Sequence, residues 1–163
     1  MKTLILMRHA KSSWKEPELA DHDRPLNKRG EKDAPRMGRL LKDKKLIPDL
    51  IYSSTAVRAR LTVEGVIEKS GFKNKVDYLE SLYMAEPSTI IETLKQTPDK
   101  IDSILLVGHN PGLEGLLQIL SRKVESLPTG AIARISLPIN HWSDLALSTE
   151  GKLKDNFRPR DLK

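Results

Sequence analysis

The stretch "LILMRHAKSSW", residues 4–14, decides how this chain is read. It opens with four apolar residues, Leu4 to Met7, and sets Arg8 and His9 side by side where that run stops. An unbroken apolar run of this length suits a strand covered on both faces, as in a parallel sheet. Polar residues directly after such a strand fall at its carboxyl edge, where open α/β sheets hold their ligands. Taken alone, an Arg-His pair is more often surface than site. Its meaning depends on what the rest of the chain brings to it.

Working outward, Leu50-Ile51-Tyr52 and residues 103–107 also read as buried strands, and a shorter one lies near Val76-Asp77-Tyr78. Residues 131–137 alternate apolar and polar, and with 142–147 they predict a late antiparallel hairpin. Over 28–46, Ala34, Met37, Leu40 and Leu41 share one helical face. Pro35 either kinks that helix or sits in its first turn behind an Asp33 cap. Residues 55–70 repeat the spacing with Ala59, Val63, Val66 and Ile67, and Gly71 is a stop signal. A short helix is predicted over 88–94, and another over 111–120 with Pro111 first behind Asn110. The last dozen residues read as an extended tail. There is no internal repeat or linker. The pattern predicts a single domain over 1–163, a three-layer α/β/α sandwich with a mostly parallel central sheet.

Of the 163 residues, 38% are hydrophobic and 31% charged, an ordinary balance for one soluble domain. No apolar run approaches the roughly 18 residues of a membrane span. The short apolar start, broken by Arg8, does not make a signal peptide. With no cysteine, disulfides, thiolate catalysis and cysteine-bound metal centres are excluded. The expectation is a cytoplasmic monomer without a membrane partner. A net charge of +6 favours anionic partners. The basic residues are scattered, densest at Lys42, Lys44 and Lys45. Two Trp, three Tyr and two Phe offer little for stacking on bases, so no nucleic-acid partner is expected.

Three strand-to-helix junctions are rich in chemistry. Arg8, His9, Lys11, Ser12 and Ser13 follow the first strand. Ser54 and Arg58 follow the second, with Ser54 placed to cap a helix and Arg58 in its first turn. Gly108-His109-Asn110-Pro111-Gly112 follow the third. If these strands are parallel neighbours, Arg8, His9, Arg58 and His109 converge on one pocket, at which two helix N-termini also point. Two guanidiniums and two imidazoles suit a phosphoryl dianion, which arginine grips with paired hydrogen bonds. An imidazole near its ordinary pKa of about 6.5 is largely neutral at pH 7 and can act as a nucleophile. Ser12 and Asn110 join as substrate-binding candidates. No carboxylate cluster for magnesium is visible, so no metal or other cofactor is expected, and the arginines would have to stabilise the transition state unaided. Each piece has a plainer reading, as turn, cap or solvated surface. Their joint occurrence at three equivalent junctions favours the functional one.

These residues resemble the motifs of the histidine phosphatase superfamily, which includes the cofactor-dependent phosphoglycerate mutases. "LMRHA" is similar to its Arg-His-Gly signature, "SSTAVRARLT" (53–62) to its Ser-x-x-x-Arg-Ala-x-x-Thr segment, and "LLVGHNPG" (105–112) to its second-histidine segment. "DRPLNKRG" (23–30) resembles the Arg-Pro-Leu-Thr-x-x-Gly stretch of the SixA-type phosphohistidine phosphatases. The short chain and the compact region between the second strand and His109 favour that branch. The resemblance implies a phosphoglycerate mutase-like fold and a metal-independent phosphatase. His9 would become phosphorylated, Arg8 and Arg58 would clamp the phosphoryl oxygens, and His109 would hold another. The substrate would be a phosphohistidine on a protein or, alternatively, a small phosphate ester. Relatives often carry a glutamate acid after a Leu-x-Glu-like stretch, and "YLESLY" offers Glu80, which reads equally as a surface residue. Two departures stand out. Ala10 replaces the usual glycine, and Arg60 stands where relatives often have glutamate.

Two rivals come from other classes. Asp21, His22 and Asp23 with His9, His109 and His141 are of the right type for a metal-dependent hydrolase, although their spacing fits no ligand motif. A basic phosphate-binding module without catalysis is the other.

Overall fold

A computed structural model describes residues 1–162 of the chain. Strands β1 (Lys2–Arg8), β2 (Leu50–Ser54), β3 (Lys75–Leu79), β4 (Ser103–Gly108), β5 (Ile132–Leu137) and β6 (Lys152–Phe157) form one sheet in the order β3-β2-β4-β1-β5-β6. The pairings among β1 to β4 are parallel, whereas β5 is antiparallel to β1 and β6 to β5. Helices α1 (Lys28–Asp43) and α2 (Val57–Ser70) cover one face, and α3 (Pro87–Lys95) and α4 (Gly112–Ser121) the other. This is the three-layer sandwich expected from the alternation of strands and helices.

The apolar runs are continuous because both sheet faces are dry. Leu4, Leu6, Ile104 and Leu106 pack with Ile90 and Leu94 of α3 and Leu113, Leu116 and Leu117 of α4. Their neighbours Ile5, Met7, Leu105 and Val107 point the other way, against Met37 and Leu41 of α1 and Val63 and Val66 of α2. Each such fully buried side chain stabilises the fold by roughly 1.5–3 kcal/mol. Helix α1 begins at Lys28 because Asn27 caps it, its Oδ1 accepting from Gly30 N at 2.9 Å. Pro35 therefore lies inside the helix. The Asp33 cap is not formed, and Asp33 is buried between Arg29 and Arg36 instead. Gly71, at φ 79°, ends α2 as its sequence position foretold.

Two expectations fail near the carboxyl end. Residues 142–147 are not a strand: Trp142–Asp144 is a 3-10 turn, and Trp142 and Leu145 are buried beneath α3 and α4 at one-turn spacing. The Trp142 indole N–H donates to the Ile101 carbonyl at 2.7 Å, which fixes the turn. The segment read as a tail instead supplies β6, and Arg36 Nη2 holds the Leu162 carbonyl at 2.9 Å. Lys163, the last residue of that segment, lies outside the described residues. No described helix is long and apolar enough to cross a membrane.

The topology places a crevice. The chain leaves β2 for α2 on one face and β4 for α4 on the other, so the space between their carboxyl ends stays open beside β1. The register pairs Arg8 with Gly108 and Ser53 with Val107, which brings the three junctions level.

Candidate active site

An open cleft of about 270 Å³ occupies this crevice, and Arg8, His9, Ser12, Arg58, His109 and Asn110 all line it. The two imidazoles face each other with ring centres 5.2 Å apart. Only 6% of His9 and 4% of His109 is exposed, and Arg58 is buried beside them. His9 Nδ1 lies 2.7 Å from the Ala10 carbonyl, so Nδ1 carries the proton and Nε2 the lone pair. Arg58 Nε–H donates to that Nε2 at 3.4 Å, and Arg58 Nη2 approaches His109 Nδ1 at 3.4 Å. The guanidinium thus touches both histidines. The His9 ring nitrogen that bears the lone pair lies against the Arg58 cation.

The motif residues have local reasons. Ser54 does not cap α2, whose N-cap is Ala56 without a side-chain bond. Its Oγ instead accepts from Ala56 N at 3.1 Å in the turn before the helix and lies 2.8 Å from His109 Nε2, so it orients the second histidine. Thr62 Oγ1 accepts from the buried Ala10 N–H at 2.9 Å and donates to the Arg58 carbonyl at 2.7 Å. It ties the loop after β1 to the turn of α2 that carries Arg58. Gly30 packs so closely on this loop that a Cβ there would lie 2.2 Å from the Lys11 carbonyl oxygen, which explains the glycine ending "DRPLNKRG". The methyl of Ala10 is fully buried in a small cluster with Leu26 and Ala34.

Burial and neighbouring cations set the charge state. Burial, reinforced by Arg58, Arg8 and Arg24, lowers the His9 pKa to about 4 against the pull of its bond to Ala10. Burial, then His9 and Arg58, lowers that of His109 to about 3. Both folded values lie below the ordinary imidazole value of about 6.5. The unfolded chain therefore binds more protons in mildly acid solution. The associated stability is fully present above pH about 6.5 and is lost as pH falls through the folded values. The ring nitrogens of His9 and His109 should accordingly keep neutral-imidazole 15N shifts from pH 8 down to about 5. Titration of either near 6.5 would contradict this burial.

Several pocket residues were not among the candidates. Asp21, a candidate only as a metal ligand, is one of them. Its carboxylate accepts from Arg58 Nη2 at 3.0 Å and from the Tyr83 hydroxyl, and Arg58 Nη1 holds its main-chain carbonyl at 2.7 Å. The Tyr83 hydroxyl, with Arg58 and Arg24, keeps this carboxyl below the usual range despite some burial. Arg24 and Trp14 also line the cleft. Arg24 stood in the quoted "DRPL" motif, whereas Trp14 and Tyr83 carried no signal that sequence spacing reveals.

Glu80 is not at the cleft. The 3-10 turn Glu80–Leu82 buries Leu82 and carries the chain on to Tyr83 and Met84, leaving the Glu80 carboxyl exposed on the solvent side. Asn110 is partly committed elsewhere: its Nδ2 donates to the Leu127 carbonyl at 2.9 Å and its Oδ1 accepts from Glu114 N at 3.3 Å. The ligand set weighed for a metal is not assembled. His22 bonds Thr55, His141 bonds Asp99, and no three His, Asp or Glu side chains cluster as a metal site among the described residues. A larger cleft of about 480 Å³ opens beside Leu50, Lys75 and Ile101, at the opposite edge of the sheet. It contains no histidine or arginine, so chemistry rather than size identifies the site.

Comparison with known proteins points the same way. Residues 4–83 match the model of the histidine phosphatase superfamily, branch 1. An uncharacterized chloroplastic protein of Arabidopsis thaliana is 37% identical over 164 residues, covering 94% of this chain and 75% of its own. A protein of Agrobacterium tumefaciens assigned as a phosphohistidine phosphatase SixA superposes with a TM-score of 0.83. It is 28% identical and aligns over 97% of this chain and 98% of that one. The protein histidine phosphatase SixA in complex with tungstate shares the fold at a TM-score of 0.84 and 23% identity, over 99% of both chains.

Proposed function

The chain belongs to the histidine phosphatase superfamily, and from that premise we propose that it is a SixA-like phosphatase that removes phosphoryl groups from histidine side chains of proteins without a metal ion. His9 Nε2 attacks phosphorus, and a P–N bond to the enzyme forms as the bond to the leaving group breaks. Arg8 and Arg58 neutralise the equatorial oxygens, and His109 holds one of them. Water then attacks the phosphorylated His9 and releases inorganic phosphate, restoring the neutral ring.

One observation carries the choice of substrate. The carboxylate at the cleft, Asp21, is held as an anion by Tyr83 and two arginines, and Glu80 lies outside, so among the described residues no protonated carboxyl faces the leaving group. An alkyl phosphate expels a strongly basic alkoxide and needs such an acid. Phosphohistidine does not, because its other ring nitrogen takes a proton from water and neutral imidazole departs, with a conjugate-acid pKa of about 6.5. The open mouth admits a protein side chain.

A turnover screen tests the reading. A phosphohistidine-bearing protein should be the best substrate, para-nitrophenyl phosphate intermediate and an alkyl phosphate the poorest, all unaffected by EDTA. Glu80→Gln should leave all three rates near wild type. An alkyl phosphate turned over fastest would shift the assignment to a small-molecule phosphomonoesterase. Loss of activity in EDTA would return the metal-dependent route, and no turnover at all would leave a binding module.

A further inference from the structure

Two apolar side chains stand exposed at the lips of this strongly basic cleft, Trp14 at 71% and Met84 at 48%. Trp14 is not loose. The guanidinium carbon of Arg24 lies 3.5 Å from the centre of an indole ring, a close cation–π stack. Arg24 itself is only 8% exposed. Its Nε is 3.3 Å from Asp21 Oδ1 but poorly aligned, and among the described residues its Nε and Nη1 have no hydrogen-bond partner. The stack is therefore the principal contact described for this guanidinium within the cleft. It fixes the plane of the indole, whose inner face is covered and whose outer face is open. Met84 is held at the same mouth by an uncommon left-handed backbone, φ 51°.

In-line displacement gives this geometry a meaning. His9 attacks from the floor, so the leaving group departs on the opposite side of phosphorus, toward the mouth. We propose that Trp14 is the leaving-group platform of the site: a planar ring bonded to the phosphoryl group stacks on its outer face, with Met84 as a second apolar contact. The site then selects phosphoryl groups carried on rings over those carried on alkyl chains. The proposal deepens the phosphatase reading and rests on it for the natural ring, an imidazole. Arg24 acts as a positioning residue that holds the platform.

Non-hydrolysable probes test the platform independently of turnover. Phenylphosphonate and methylphosphonate differ in the ring and share the anionic head. The wild-type protein should bind the phenyl compound about tenfold more tightly, the usual scale of an aromatic pair. Trp14→Ala should bring the ratio of the two dissociation constants close to one, and Trp14→Phe should restore most of it. Should Trp14→Ala disturb Arg24, both affinities weaken together, so the ratio remains the readout. A ratio unchanged in Trp14→Ala, or no preference in the wild type, overturns the platform. A failed phosphohistidine turnover beside an intact, Trp14-dependent ratio refutes the substrate assignment and supports the platform.

Discussion

His9→Ala should reduce turnover on every substrate to background, a loss on the order of 10⁴-fold or more, as removal of a covalent nucleophile does. The reason is geometric. His9 Nε2 is a lone pair on a neutral, buried ring, oriented by its Nδ1–H bond to Ala10 and faced by Arg58. The ring is held by loop and pocket contacts, apart from the two apolar cores, so its removal should leave the fold intact. Thermal unfolding and phosphate binding should both survive the change. Activity within tenfold of wild type, in a folded mutant that still binds phosphate, would remove His9 from the chemistry.

Arg58→Ala comes second, with an expected loss of 10²–10³-fold in turnover, the usual scale for deleting a donor that stabilises transition-state charge. Arg58 reaches His9 with Nε, His109 and the Asp21 carboxylate with Nη2, and the Asp21 carbonyl with Nη1. On the proposed mechanism a phosphoryl group entering the cleft would compete for these donors, so the guanidinium would exchange a carboxylate for the reacting dianion. Arg58→Lys should recover little, because one ammonium cannot reproduce three separately aimed nitrogens. Steady-state kinetics with para-nitrophenyl phosphate decide the point. Lysine rescue to wild-type rates would mean that charge alone matters at this position.

How far the sequence could be read depends on what each element packs against. β1, β2 and β4 were legible because both their faces are dry, which forces unbroken apolar runs such as Leu4–Met7. β6 was not. It is an edge strand, and Lys152, Lys154 and Asp155 leave it only Leu153 and Phe157 as apolar signals. Trp142 and Leu145 carried a stronger apolar signal but belong to a turn under the helices. The same logic governs the site. Arg8, His9, Arg58 and His109 sit at strand ends or in a first helical turn, where local pattern fixes position. Asp21, Arg24 and Tyr83 reach the cleft by the paths of loops, which no periodicity encodes. Glu80 shows the limit: a 3-10 turn leaves it in solvent while Tyr83, three residues on, contacts Asp21.

The central claim is that phosphoryl transfer passes through His9, and trapping the enzyme during turnover tests it most directly. Rapid quenching in base with a phosphorus-labelled substrate should yield one phosphate per chain, carried by the peptide that contains His9. The linkage should be stable in base and lost in acid, as a phosphorus–nitrogen bond is. Label that survives acid, or that maps to a residue other than His9, would contradict the account.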